Sequence, residues 1–211
     1  MADAFYVPLG DGRFSATAHT AGPWTPDAQH FGPPSALLVR ALETVETARP
    51  AELARVTVEI LGPAPVAELT VRARIERPGR SVELLQAELA SAERVVARAS
   101  AWRIATSDTA EAGTDAGPLL PGPDSVGESP WPEGWQGGYL DAVEWRAVRG
   151  GMDVPGPAAV YVDAGLAKTG SLSALKISQR SSMRCRSNSR SWRDRLMSIC
   201  RCDGPRRMFL P

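Results

Sequence analysis

The sequence predicts an α+β domain in which an antiparallel sheet wraps around one central helix, and three observations carry that expectation. Leu37, Leu38, Ala41, Leu42 and Val45 recur at the spacing that gives a helix a single apolar stripe, with Arg40, Glu43, Thr44 and Glu46 on the opposite face. Four runs of strand character follow between Arg55 and Ile104. No helical pattern separates those runs, an order that suits neighbouring antiparallel strands rather than a parallel sheet.

Taken in order, Arg13 to Thr20 reads as a first strand, and Ala21-Gly22-Pro23-Trp24-Thr25-Pro26 turns the chain towards the helix. Gly32, Pro33 and Pro34 give the helix a rigid start, where proline is tolerated because first-turn amides have no partner within the helix. Free amides in such a place attract negative charge. The helix is expected over 34–47, and Arg49-Pro50 stops it, since a residue before proline is pushed out of helical geometry.

Val56, Val58 and Ile60 alternate with Thr57, Glu59 and Leu61 in a strand ended by Gly62-Pro63. Leu69, Val71, Ala73 and Ile75 alternate with Thr70, Arg72, Arg74 and Glu76, the clearest two-residue period in the chain. Arg77-Pro78-Gly79-Arg80 is a turn. Ser81 to Ala90 and Glu93 to Ile104 complete the set as two longer strands joined at Ser91-Ala92.

From Thr106 to Gly137 glycine, proline, serine, aspartate and threonine dominate and no period survives, which reads as a linker between a first domain at 1–105 and whatever follows. Tyr139 to Arg149 reads as another strand, and Pro157 to Val162 is a short apolar run, so a second unit is expected to begin at 138–162.

The 211 residues, 43% of them hydrophobic, suffice for a core, and the 24 basic and 24 acidic side chains cancel only on paper. Residues 171–211 hold nine arginines and Lys176 against Asp194 and Asp203, so this end is about eight charges positive and the body about eight negative. Cys185, Cys200 and Cys202 also lie there, and an odd count without disulfide spacing points to a reducing compartment. The start, MADAFYVPLGDG, lacks the basic and apolar regions of a secretory signal, and no run approaches the length of a membrane span, so a cytoplasmic location is expected.

Five stretches, FYVPLGDGRFSATAHTAGPW at 5–24, QHFGPPSALLVRALE at 29–43, ARVTVEILGPAPVAELTVRARIERPGRSVELLQAEL at 54–89, RVVARASAWRI at 94–104 and GYLDAVEWRAVRGG at 138–151, together resemble the hotdog-fold acyl-CoA thioesterases, in particular their double-hotdog, thioesterase II-like branch. GPAAVYV at 156–162 extends the resemblance, which thus covers roughly residues 5–162 and rests on extended similarity, not on a catalytic signature. It implies a hotdog fold with an incomplete second hotdog and acyl chains bound beside the helix at an interface between two hotdogs. It further implies an acyl-CoA type of substrate, no metal or nucleotide cofactor, and a carbonyl polarised by helix N-terminal amides while an acidic or amide side chain activates water.

The chain departs from the family in two places. In His30-Phe31-Gly32, Phe31 stands where the family's usual His-Gly-Gly step has its first glycine. The family's catalytic Asp, Thr and Gln belong to the second hotdog, beyond the resembling residues, so no catalytic residue is carried over. Gln29, His30, Gly32 and Ser35, at the helix start, are the candidate substrate-binding residues, and His30 with Asp27 and Gln29 is the best candidate polar cluster. Such groups also serve simply to cap and hold a loop. His19 reads as a solvated strand residue. The cysteines lack a fourth ligand for zinc, and Ser35 sits in no nucleophile elbow. Trp24, Trp131, Trp135 and Trp145 read as packing residues, the 131–135 segment being an alternative cover for an acyl groove.

Residues 163–211 should continue the second hotdog, yet no glutamate follows Glu144 and the composition turns to serine and arginine. The expectation is a tail read in a shifted frame; the alternative is a basic tail contacting nucleic acid or anionic lipid, which lacks a scaffold or motif. Two function classes stay open: a thioester hydrolase, and a non-catalytic acyl-binding or interaction module. A lone hotdog would expose sheet edges and an apolar helix face, so self-association is expected.

Overall fold

The computed structural model describes residues 4–108, 121–129, 134–151 and 156–163. They fall into two compact units: the first holds 4–108 and 136–142, the second 121–129, 134–135, 143–151 and 156–163.

The first unit opens with a hairpin of β1 (Tyr6–Gly10) and β2 (Arg13–Ala16), where the sequence reading had only the second strand. The turn is Asp11-Gly12, with φ of 53° and 73°, the backbone sign a tight hairpin turn requires and that Asp-Gly supplies. Gly12 is further fixed by crowding, because a Cβ there would lie 2.6 Å from the Val71 carbonyl oxygen. That oxygen's own residue donates its amide to Gly12 at 2.8 Å, which docks the hairpin onto the main sheet.

Where a turn was expected, β3 (Ala21–Gly22) and β4 (Thr25–Gln29) form a small hairpin that leads into helix α1 (Gly32–Glu43). Strands β5 (Ala51–Ile60), β6 (Glu68–Arg77), β7 (Val82–Ser91) and β8 (Arg94–Ala105) match the four expected runs to within a few residues. The six-stranded sheet has the order β1-β2-β6-β7-β8-β5, with every neighbouring pair antiparallel. The expected antiparallel α+β hotdog architecture is therefore what the chain forms.

Register decides which face meets the helix. Val58, Ala99, Ala87 and Ala73 stand side by side across β5, β8, β7 and β6, as do Val56, Ala101, Leu85 and Ile75. Ala87, Ala97, Ala99 and Ala101 are at most 1% exposed, and these short side chains let Leu37, Leu38 and Leu42 of α1 settle on the sheet. The opposite face carries Arg72, Glu88, Arg98 and Glu59 in one cross-strand row, with an exposed Arg98–Glu88 pair at 2.8 Å that adds little stability.

α1 ends at Glu43, earlier than the expected Thr47. Arg103 of β8, 3% exposed, holds the chain just beyond that end: its guanidinium donates to the carbonyl oxygens of Val45 at 2.6 Å and Glu46 at 3.0 Å, and to the Glu83 carboxylate at 2.7 Å. A cation from the sheet thus pairs two carbonyls that follow the helix.

β7 and β8 are joined through Ala92, whose φ of 49° is one that glycine tolerates better than alanine. Ala92→Gly is expected to raise stability by about 0.5–1 kcal/mol, read as a higher urea midpoint at unchanged slope.

Tyr139 to Arg149 is not the single strand expected. Tyr139–Ala142 forms a short helix, α2, in the first unit, and β9 (Glu144–Arg149) pairs with β10 (Ala159–Asp163) in the second. Gly137 and Gly138, with φ of 94° and 59°, let the chain turn into α2, and Asp141 accepts the Gly137 amide at 2.8 Å. In the second unit the Arg146 guanidinium donates to the Val126 carbonyl at 2.9 Å and the Tyr161 hydroxyl to that of Pro121 at 2.7 Å. The expectations for residues 164–211, including the basic tail and all three cysteines, lie outside the described residues.

Candidate functional site around the start of the central helix

β4 delivers Gln29 and His30 to the first turn of α1. Gln29 is 4% exposed and bonded at both ends of its amide: Oε1 accepts from the Tyr6 hydroxyl at 2.6 Å, and Nε2 donates to the Pro65 carbonyl at 2.6 Å. Its backbone amide donates to Ala64 at 2.8 Å. Gln29 therefore bolts β4 to β1 and to the 64–65 segment. Tyr6 is buried with it, and burial holds its phenol pKa well above the ordinary value.

His30 lies in a stack of rings. The Tyr139 ring of α2 is parallel to it within 8° at 4.2 Å between centroids, and Trp24 is parallel within 5° at 5.9 Å. Phe5 leans on Tyr139 at 5.9 Å. Burial lowers the His30 pKa from 6.5 to about 4, so the imidazole is neutral at pH 7. Its Nδ1 accepts the Gly32 amide at 3.1 Å, which places the ring proton on Nε2.

Gly32 is the point of closest approach. A Cβ there would meet the Tyr139 Cζ and hydroxyl oxygen, each at 2.9 Å, and His30 Nδ1 at 3.1 Å. Phe31, the departure from the family pattern, is half-buried and packs against the core. Ser35 donates its hydroxyl to the Phe31 carbonyl at 2.7 Å, and its amide goes to the same oxygen at 3.1 Å.

Two expectations need correction. Asp27, Gln29 and His30 do not form one polar cluster: the Asp27 carboxylate is exposed and makes no hydrogen bond or ion pair with either neighbour. Nor are amides free within the first turn of α1 itself, Gly32 to Ser35. Gly32 is bonded to His30, Pro33 and Pro34 have no amide proton, and Ser35 is already paired.

Sequence reasoning missed Tyr6, Tyr139, Glu83 and Arg103 as partners of the helix and its flanks. Tyr139 stands more than a hundred residues from His30, and Tyr6 and Gln29 are 23 apart, so no local period could have joined them. Among the described residues no three His, Cys, Asp or Glu side chains gather to hold a metal ion, and no helix is long and apolar enough to cross a membrane.

The family model for the acyl-CoA thioesterase N-terminal domain matches residues 20–104. Those residues are a hotdog domain of the acyl-CoA thioesterase family. The match runs from Thr20, just before β3, through α1, to the end of β8, so Trp24, Gln29 and His30 lie at the front of the matched segment, while Phe5 and Tyr139 lie outside it. A hotdog-fold protein of unknown function from Alicyclobacillus acidocaldarius is 20% identical, with a TM-score of 0.55 over 76% of this chain and 60% of that one. A candidate thioesterase II from Thermobifida fusca is 18% identical, with a TM-score of 0.55 over 82% of this chain and 65% of that one. A TesB protein from Mycobacterium avium subspecies paratuberculosis is 14% identical, with a TM-score of 0.50 over 92% and 64%. At such identities the likeness shows the hotdog fold, and this chain spans less than two thirds of the length of each of the three. No curated protein matches the chain.

Proposed function

We propose that this hotdog domain binds acyl-CoA thioesters, with the acyl chain beside α1, as part of a cytoplasmic thioester hydrolase. The observation that carries the reading is the family match over 20–104, seated on a sheet whose row of alanines brings an apolar helix close. Gln29, His30, Gly32 and Ser35 belong to the proposed substrate-binding region. Their side chains and amides are bonded to one another or to the domain, so their part is to shape a wall: Gln29 fixes β4, His30 and Tyr139 present ring faces, and Gly32 leaves room for the ring.

A second reading has its own support. The amides of Gly32 to Ser35 are occupied or absent, which favours a non-catalytic acyl-binding role for the described residues, completed by a second copy of the chain or by further residues. One experiment separates the two. Incubation with a panel of acyl-CoAs, monitored for free thiol, is expected to show turnover if the chain is a hydrolase. Calorimetric binding without thiol release would support the binding module, and neither binding nor turnover would defeat both.

A further inference from the structure

We infer that a cavity beyond the carboxyl end of α1, walled by Arg49 and Arg80, is a binding site for a phosphomonoester group. The inference goes beyond the acyl-thioester reading and does not depend on it.

Two turns that the sequence marks by proline, Arg49-Pro50 and Arg77-Pro78-Gly79-Arg80, come together only in the fold. The first leads from α1 into β5 and the second from β6 into β7. Between them lies a cavity of about 110 Å³, whose lining includes Thr47, Arg49, Arg80, Ser81, Glu83 and Arg103. One water needs roughly 10–15 Å³ of such space, so a tetrahedral anion has room there without displacing a side chain. The helix α1, 12 residues and about 18 Å long, lies between this cavity and the residues at 29–35.

Charge selects the occupant. Arg103 and Glu83 satisfy each other at 2.7 Å, so of the three arginines and one glutamate on the wall two positive charges remain, Arg49 and Arg80. Among the described residues neither of these guanidinium groups makes a hydrogen bond or an ion pair. A doubly charged phosphate balances both, and each planar fork matches a pair of its oxygens; a carboxylate would balance only one. The Ser81 hydroxyl on the wall adds a neutral donor. The carbonyls past the end of α1, which would repel an anion, are turned onto Arg103.

The walls are held in place before anything binds. The end of β8 ties both: the Ala105 amide donates to the Ser81 carbonyl at 2.9 Å, and the Thr106 amide to the Pro50 carbonyl at 3.1 Å. The Thr47 hydroxyl donates to the Arg49 carbonyl at 3.0 Å, which fixes the turn that carries Arg49. Only two long side chains then have to order on binding.

The test is a titration of the full-length, nitrogen-15-labelled chain with inorganic phosphate, followed by nuclear magnetic resonance, with sodium chloride at matched ionic strength as the control. Saturable shifts are expected for the amides of Arg49, Arg80 and Ser81 with phosphate and not with chloride. Arg49→Gln and Arg80→Gln should each weaken binding about tenfold, the loss of a charged hydrogen-bonding partner, and Arg77→Gln, outside the cavity lining, should leave it unchanged. No saturable shift at these amides, an equal response to chloride, or an equal loss in Arg77→Gln overturns the site. The first two are read on the unsubstituted chain, so a variant that fails to fold does not shelter the inference. Coenzyme A and its 3′-dephospho form then identify the source. Shifts at Ser81 with the first and not the second assign the cavity to that phosphate of the coenzyme, whereas shifts with inorganic phosphate alone assign it to a separate phosphorylated small molecule. If an acyl-CoA moves no resonance anywhere, the acyl-thioester reading fails, while the phosphate titration still decides the cavity.

Discussion

Replacing Arg103 by methionine is expected to lower the unfolding free energy by about 3–5 kcal/mol, the cost of leaving a buried charge without its partner. The guanidinium is 3% exposed and serves three acceptors at once: the Glu83 carboxylate, itself only 18% exposed, and the carbonyls of Val45 and Glu46 beyond α1. Methionine fills the volume but offers no proton to any of them. Lysine keeps the charge and cannot reproduce the fork, so Arg103→Lys should fall between the two. A double variant, Arg103→Met with Glu83→Leu, should recover most of the loss, because the orphaned carboxylate is gone; urea denaturation of the four proteins measures this. Equal stability of the single and double variants would show that the carbonyls, not the ion pair, carry the effect.

Acidification is expected to cost up to about 3 kcal/mol through His30 alone, taking the lowering from 6.5 to about 4 at 1.36 kcal/mol per pH unit. The sign follows from proton binding. With its folded pKa below its unfolded one, His30 contributes fully above about pH 6.5, and the contribution is lost as the pH falls to about 4, where the unfolded chain takes up a proton that the native stack refuses. Protonated Nδ1 would also confront the Gly32 amide with a second donor. Carboxylates titrate in the same window, so the decisive quantity is the difference between the natural chain and His30→Asn. The stability of the two should diverge with rising pH between 4 and 6.5, and parallel curves would contradict the assignment.

The strands were legible where chemistry repeats along the chain. The alternation from Leu69 to Ile75 gives β6, and the apolar stripe from Leu37 to Val45 gives α1, because both patterns are set by burial against one neighbour. β1 went unread although Asp11-Gly12 is a hairpin signal, since Tyr6 to Gly10 is largely exposed and shows no clean period. Tyr139 to Arg149 was read as one strand because Trp145 and Val148 dominate its pattern; the positive φ at Gly137 and Gly138 that starts a helical turn has no trace in hydrophobicity. Gln29, His30, Gly32 and Ser35 are candidates by their place at the helix start, which the sequence shows, whereas what they hold is not legible there. Whether an amide is free depends on which partner folds back onto it, and Tyr139 and Arg103 reach the helix only through the tertiary fold.

The alanines under α1 make the helix a lever resting on a low fulcrum. Ala87, Ala97, Ala99 and Ala101 leave no slack beneath it, while at its amino end Gly32 lies against Tyr139 with no room for one further carbon. A valine at any of those four sheet positions would tilt the rod, and the tilt would arrive at Gly32 and Tyr139 as a displacement of the aromatic pile. Fluorescence of Trp24 should therefore report enlargements of the sheet centre that never touch it, which makes an indole near the surface a gauge of packing in the interior.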